Sequence, residues 1–328
     1  MRLIIVVVFA IISAILMGAD FETYPFHIEE PAMSREGGII RWMEFEVPLE
    51  GLQRAKAHDI ATKGAVNWID LLAYTVAKNW GKYPRDGRSD MDAAAQRIAS
   101  GESVESLADG LRLFSFYREA YGAVLGGLLG EYEREGENGW EIQYGLKAFF
   151  PLARGHGYTH FDDFGEGRSY GYRRRHLGHD LMAAVGTPVV AVEDGHVEAL
   201  GWNRYGGWRI GIRSTDRKRY YYYAHLRKGQ PFAQGLSEGD FVRAGDVIGY
   251  VGMTGYSNIE DTNNITTPHL HLGLQIIFDE AQKDGPNQIW VDLYSITKFL
   301  SSNKMPTSKP TDSPDHVRKF HTNSIVTD

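Results

Sequence analysis

The sequence predicts an α+β protein: an apolar N-terminal segment, a small helical domain, then a mainly antiparallel β-domain. Three observations carry this. Between about residues 48 and 135, apolar residues recur at spacings of three and four. After Gly136 the pattern changes to short β-rich runs separated by Gly and Asp. No strand–helix alternation follows, as a parallel sheet would require.

The first element spans residues 1–19. Residues 3–19 are apolar except for Ser13, preceded by Arg2 and followed by Asp20 and Glu22. That is the charge pattern of an export segment, either a signal peptide or a single-pass membrane anchor. Met17-Gly-Ala19 is only a fair cleavage site, which favours an uncleaved anchor and puts the rest of the chain outside the cytoplasm.

Residues 20–135 read as the helical domain. Residues 52–63, 67–79, 89–100 and 103–131 carry the helical spacing, broken at Gly64, Gly81-Lys-Tyr-Pro84 and Gly101. Ser89 with Asp92 resembles a capping box. Gly122, Gly126 and Gly130 are four apart and suggest close helix contact. Residues 136–300 form the β-domain. Asp194-Gly195 is a hairpin signal, residues 209–213 and 219–226 flank a charged turn, and residues 241–251 give two strands around Gly245-Asp246. Ser, Thr, Pro and Asp dominate residues 301–328, which read as a disordered tail with His316 and His321 solvated.

Composition narrows the chemistry. A net charge of −7 gives no reason to expect nucleic acid as a partner. With no cysteine, disulfides, thiolate metal ligands, a cysteine nucleophile and a lipid-modified N-terminal cysteine are all excluded, leaving His and carboxylates to build any metal site. There is no serine nucleophile elbow, phosphate-binding Gly loop, Rossmann fingerprint or HExxH helix.

Two patterns remain, His176-Leu-Gly-His-Asp180 and Pro268-His-Leu-His271. Neither convinces alone, since 12 His residues give about 0.4 chance HxH occurrences. Even separation on a strand lets His269 and His271 project together, and His176 with Asp180 if that segment is extended; His179 then faces away as a structural or supporting residue. Two imidazoles and a carboxylate match the three-ligand count of catalytic zinc.

These patterns fall in an ordered series. Residues 163–168, 176–180, Gly186-Thr-Pro-Val-Val-Ala-Val, Asp194-Gly195, Tyr223-Ala-His-Leu226, residues 239–249, Gly252-Met-Thr-Gly255 and residues 268–271 follow one another as in a known family. Over about residues 150–280 the chain resembles the lysostaphin-type or LytM-type zinc endopeptidases of bacterial cell-wall peptidoglycan. The resemblance implies a small antiparallel β-fold with a groove and one zinc ion per chain. It implies His176, Asp180 and His271 as metal ligands, with His269 and His225 as catalytic residues, and hydrolysis by attack of a zinc-bound water. The partners implied are peptidoglycan stem or cross-bridge peptides. Residues 3–19 would meet the membrane, and the helical domain would position, inhibit or bind an envelope protein. The expected place is the cell envelope, on the extracytoplasmic face or secreted.

The chain departs from the family at a polar insertion, residues 258–267, and at Leu272, where an aromatic is common. Arg173 to Arg175 precede the first ligand; such runs are usually solvated, yet acidic stem-peptide carboxylates would suit them. Two other readings remain. A non-catalytic envelope protein could use the same groove to bind peptidoglycan or activate a hydrolase. The helical domain could act on glycan through Glu44, Glu46, Asp59 or Asp70, although nothing in the sequence pairs them.

Overall fold

A computed structural model describes residues 45–85, 87–170, 172–285 and 287–325, together with the backbone of two short strands, β1 (Ala32–Met33) and β2 (Ile39–Met43). The expected export segment lies outside the described residues. Among those described, no helix is long and apolar enough to cross a membrane. Two compact units result: one runs up to Gly126 and includes Ile276–Ile289, the other takes Gly127–Gln275 and the chain from Trp290 onward.

The first unit is helical: α1 (Leu49–Ala61), α2 (Trp68–Lys78), α3 (Gly87–Ala99), the single turn α4 (Val104–Leu107) and α5 (Phe114–Leu125). α2 lies at its centre, with Leu71, Leu72, Ala73 and Val76 fully buried. Its start is fixed locally, because Asn67 Oδ1 accepts hydrogen bonds from Ile69 N at 2.9 Å and Asp70 N at 3.3 Å. Asp59, at the end of α1, accepts from Trp68 N at 2.8 Å and joins the two helices. The helical spacing of residues 103–131 is not one helix. Gly110 takes φ +76° between α4 and α5, and the chain turns into a strand by Leu129. Among the described residues, a side chain at Gly122 would meet nothing within 4 Å, so no close helix contact is found there.

The second unit begins with the hairpin β3 (Leu129–Gly136) and β4 (Gly139–Leu146), earlier than the expected boundary at residue 136. β5 (Tyr158–Phe161), the hairpin β6 (Gly167–Tyr170) and β7 (Tyr172–Arg175), β8 (His179–Ala183) and β9 (Pro188–Val190) follow. Next come β10 (Gly195–Asn203), β11 (Gly207–Ser214), β12 (Arg219–Ala224), β13 (Phe241–Val242), β14 (Val247–Tyr250) and β15 (His269–Ile276). The main sheet runs β15-β12-β11-β10-β13, with β8 paired to β15 and β5 to β8. Each described pairing is antiparallel, and β9 with β14 makes a separate pair. Val197, Ile210, Ile212, Ile248 and Leu270 are buried. β16 (Gln288–Val291) and α6 (Tyr294–Leu300) complete the regular elements before residue 301.

The tail expected to be disordered from Ser301 is ordered through residue 325. β17 (Thr307–Ser308) pairs with β18 (Val317–Arg318), and β19 (Thr322–Ser324) pairs with β3. Met305 is fully buried in a cluster with Phe149, Ala153, Val190 and Ala244, which anchors a segment too polar to show a pattern. Asp315 accepts from Tyr250 Oη at 2.8 Å and Gln234 N at 2.6 Å. His316 is half-buried, 6.0 Å ring to ring from His156, whereas His321 is exposed.

A buried ion pair ties β12 to the segment before β10: Arg219 Nε lies 2.8 Å from Glu193 Oε1, with 2% and 5% of the two side chains exposed. Removing one partner strands the other charge in the interior. Arg219→Met should cost about 3–5 kcal/mol, and Arg219→Met with Glu193→Leu should recover most of it. Chemical denaturation of both variants checks this, and equal losses would rule it out.

Candidate metal centre

Strand register builds the centre. β15 pairs with β8 so that His271 lies opposite Asp180 and His269 opposite Met182. Alternation then puts His269 and His271 on one face. His176 arrives differently, for the segment His176 to Gly178 is a bend between β7 and β8 rather than a continuous strand. A side chain at Gly178 would collide with the His271 ring, so the bend needs glycine for close packing rather than for its dihedrals.

Three donor atoms meet there. His176 Nε2 is 2.8 Å from His271 Nδ1 and 3.1 Å from Asp180 Oδ1, and His271 Nδ1 is 3.0 Å from Asp180 Oδ1. Donors bonded at roughly 2.0–2.1 Å to a tetrahedral zinc would sit about 3.3 Å apart. A cation among them takes one lone pair from each, so the donor set fits zinc, and it is a candidate metal site.

The surroundings hold each ligand. His176 Nδ1 is 2.9 Å from Asp163 Oδ1 and 3.3 Å from the Asp163 carbonyl. Either contact directs Nε2 to the centre as a lone-pair donor. Arg168 pairs with Asp163 and reaches Asp180 Oδ2 at 3.2 Å. Burial disfavours a proton on His176, but its bonds to Asp163 and Asp180 outweigh that and push it up to about 9. Burial also opposes charge on Asp180, yet His176 and His271 hold it well below the usual carboxylate range. Burial leads in pushing His271 down to about 4.

Two expectations follow. Asp163→Asn should weaken zinc binding by about 10- to 100-fold, measured by chelator competition, and unchanged affinity would show that Asp163 does not support the ligand. Binding should also depend on pH through His176, which must lose its proton to ligate. Apparent affinity should therefore rise about tenfold per pH unit from neutrality and level off near pH 9. Competition titrations at several pH values would expose a flat profile if His176 were already neutral.

His225 and His269 border the same centre. Their rings are 4.8 Å apart, and His269 Nε2 is 3.6 Å from Asp180 Oδ2. His225 follows β12 in a left-handed conformation, φ +62°, which turns its ring toward His271 at 5.8 Å. His225 Nδ1 faces the Thr254 carbonyl at 2.9 Å and His269 Nδ1 the Thr267 carbonyl at 2.8 Å. A carbonyl can only accept, so both rings carry their hydrogen on Nδ1 and keep Nε2 as a proton acceptor. Burial drives His225 well below its ordinary value.

His179 turns away from the three ligands. Its Nε2 is 2.8 Å from His160 Nδ1, its ring packs on Tyr294, and burial leads in pushing it down to about 3. His196 is exposed against Phe241. Asp163 and Arg168 were not foreseen as supports, although both lie in the motif Asp163-Phe-Gly-Glu-Gly-Arg168.

The chain is similar to known proteins. Residues 174–284 match the sequence profile of Peptidase family M23. An L-Ala--D-Glu endopeptidase of Bacillus subtilis (strain 168) is 39% identical over 162 residues, which is 49% of this chain and 47% of that protein. Lysostaphin of Staphylococcus simulans is 39% identical over 98 residues, 30% of this chain and 17% of its own length. The chain thus spans about half, or less, of the length of these two relatives. In fold, a crystal structure of a lytM protein from Ruminococcus gnavus ATCC 29149 superposes with a TM-score of 0.54 at 24% identity, covering 79% of this chain and 89% of that one.

Proposed function

Starting from residues 174–284 as an M23 peptidase domain of the lysostaphin and LytM type, we propose that the protein is a zinc-dependent endopeptidase that hydrolyses peptide bonds in bacterial cell-wall peptidoglycan. The observation that carries this is the convergence of His176, Asp180 and His271 beside two histidines whose Nε2 atoms are left as acceptors. Zinc held by the three ligands would polarise the scissile carbonyl and supply water acidified toward neutral pH. His269, nearest Asp180, is assigned to accept the proton of the attacking water. His225 is assigned to pass a proton to the leaving amine or stabilise the oxyanion once its Nε2 has taken up a proton released by the attacking water. The low basicity that burial gives His225 suits a group that lets a proton go.

The relatives support a substrate class. An L-Ala--D-Glu endopeptidase spans more of this chain than the lysostaphin match does, which favours a stem-peptide bond over a glycine cross-bridge. Such a substrate lies outside the cytoplasm, consistent with the export segment read at residues 3–19. The helical unit is assigned to positioning or to an envelope partner. The test is release of new amino termini from purified peptidoglycan by residues 20–328, with and without zinc. Zinc-dependent release supports the reading; zinc bound with no release from any peptidoglycan tested refutes it.

A further inference from the structure

The centre is bordered by an arginine cluster that the proposed chemistry does not use. The β6–β7 hairpin delivers Arg174 two residues before His176. Its guanidinium carbon lies 5.0 Å from the Tyr205 ring centroid and 5.1 Å from that of Tyr256. Arg204 covers Tyr205 at 4.8 Å. The two loops carrying these rings are tied together, since Tyr256 N donates to the Tyr205 carbonyl at 3.3 Å and Ser257 N to the Arg204 carbonyl at 3.0 Å. Arg209 stands on β11. Alternation along that strand gives it the face of Gly211, whose register partner on β12 is Tyr222.

This cluster reaches the site through two rings. Tyr256 is 5.8 Å from His225, and Tyr222 is 6.0 Å from His271. Asn203 Nδ2 donates to Tyr222 Oη at 2.9 Å and holds that ring.

The arginines' own needs point to a ligand. Arg174 Nε, Arg204 Nε and Arg209 Nη1 are buried and meet no acceptor among the described residues. Three other arginines of this unit have carboxylates, Arg168 with Asp163, Arg213 with Glu198 and Arg219 with Glu193, and Arg318 lies 3.0 Å from Asp246. Asp261, on the loop after Tyr256, is held by Trp208 Nε1 and Gly229 N, each at 2.8 Å. A solvated basic face would not leave guanidinium nitrogens buried and unmet. Stacking on a ring face leaves the planar fork free to bind a carboxylate edge-on.

We propose that Arg174, Arg204 and Arg209 form a carboxylate-binding subsite selecting a peptide with an acidic residue beside the bond to be cut; this rests on the peptidase reading above. Such a subsite suits a D-Glu stem residue and has no use in a glycine-only substrate. The probes are an L-Ala–D-Glu peptide with its free carboxylate and the same peptide as carboxamide. On the zinc-loaded full chain the acid should be preferred by about 10- to 100-fold in kcat/KM and in binding. Arg174→Gln should remove most of that preference through KM, leave the carboxamide peptide unaffected, and retain the melting temperature. Arg174→Lys should keep part of it, and Arg209→Gln, on a separate strand, should also reduce it. Equal treatment of the two peptides by the unaltered protein, or equal loss on both in Arg174→Gln, overturns the subsite. Binding read alongside cleavage separates the two claims. If neither peptide is cleaved but the acid preference in binding vanishes in Arg174→Gln, the subsite stands and the peptidase reading falls. If both are cleaved and bound alike, the reverse holds.

Discussion

His271→Ala is expected to abolish zinc retention and turnover together, and Asp180→Ala should do the same. Each change removes one of three donors that lie 2.8–3.1 Å from one another, leaving two ligands and a gap. Loss of a residue that only supports a ligand costs about 10- to 100-fold in affinity, so loss of a ligand should exceed that range. Metal catalysis contributes several kcal/mol to such reactions, at about 1.4 kcal/mol per factor of ten, so peptide release should fall by at least about 1,000-fold. Asp180 has a second role. In the metal-free protein it accepts from His176 and reaches Arg168, so its removal also uncovers two buried or half-buried cations. Asp180→Ala should therefore lower the melting temperature more than His271→Ala. Metal content by mass spectrometry, with amino-terminus release from peptidoglycan, decides the first claim, and full zinc occupancy in His271→Ala would sink it.

The sequence made the strand-borne part of this site legible. His269 and His271 share a face because side chains alternate along a strand, and that rule holds whatever packs around it. His176 and Asp180 followed another route: their four-residue spacing suits an extended segment, yet a bend at Leu177-Gly178 brings them together. The His271 ring leaves no room for a side chain at Gly178, a constraint from 93 residues away in sequence that no local pattern carries. The same limit explains the tail. Met305 is one apolar residue in a polar run, so periodicity is silent, and its burial against Phe149 and Val190 is long-range. Arg174 was visible only as one of three consecutive arginines. What distinguishes it is the pair of rings from two distant loops, Tyr205 and Tyr256.

His269→Ala should separate metal binding from chemistry, retaining most of the zinc while losing about 100- to 10,000-fold in turnover, the usual range for a general acid or base. The ring is 3.6 Å from Asp180 through Nε2 and is not one of the three convergent donors. Its orientation is fixed independently of the metal, because Thr267 holds Nδ1–H from two residues away on the same chain segment. His225→Ala should behave similarly, with Thr254 as the holding carbonyl. The two should differ in substrate dependence. If His225 serves the departing amine, its loss should be least damaging with a substrate whose leaving group needs no proton, whereas loss of His269 should damage all substrates alike. Zinc loss in His269→Ala as large as in His271→Ala would make His269 a ligand and remove the proton-accepting role. The comparison also bears on the pair as a unit. With rings 4.8 Å apart beside one carboxylate, the double variant should be little worse than the more damaging single variant if both act on the same transition state.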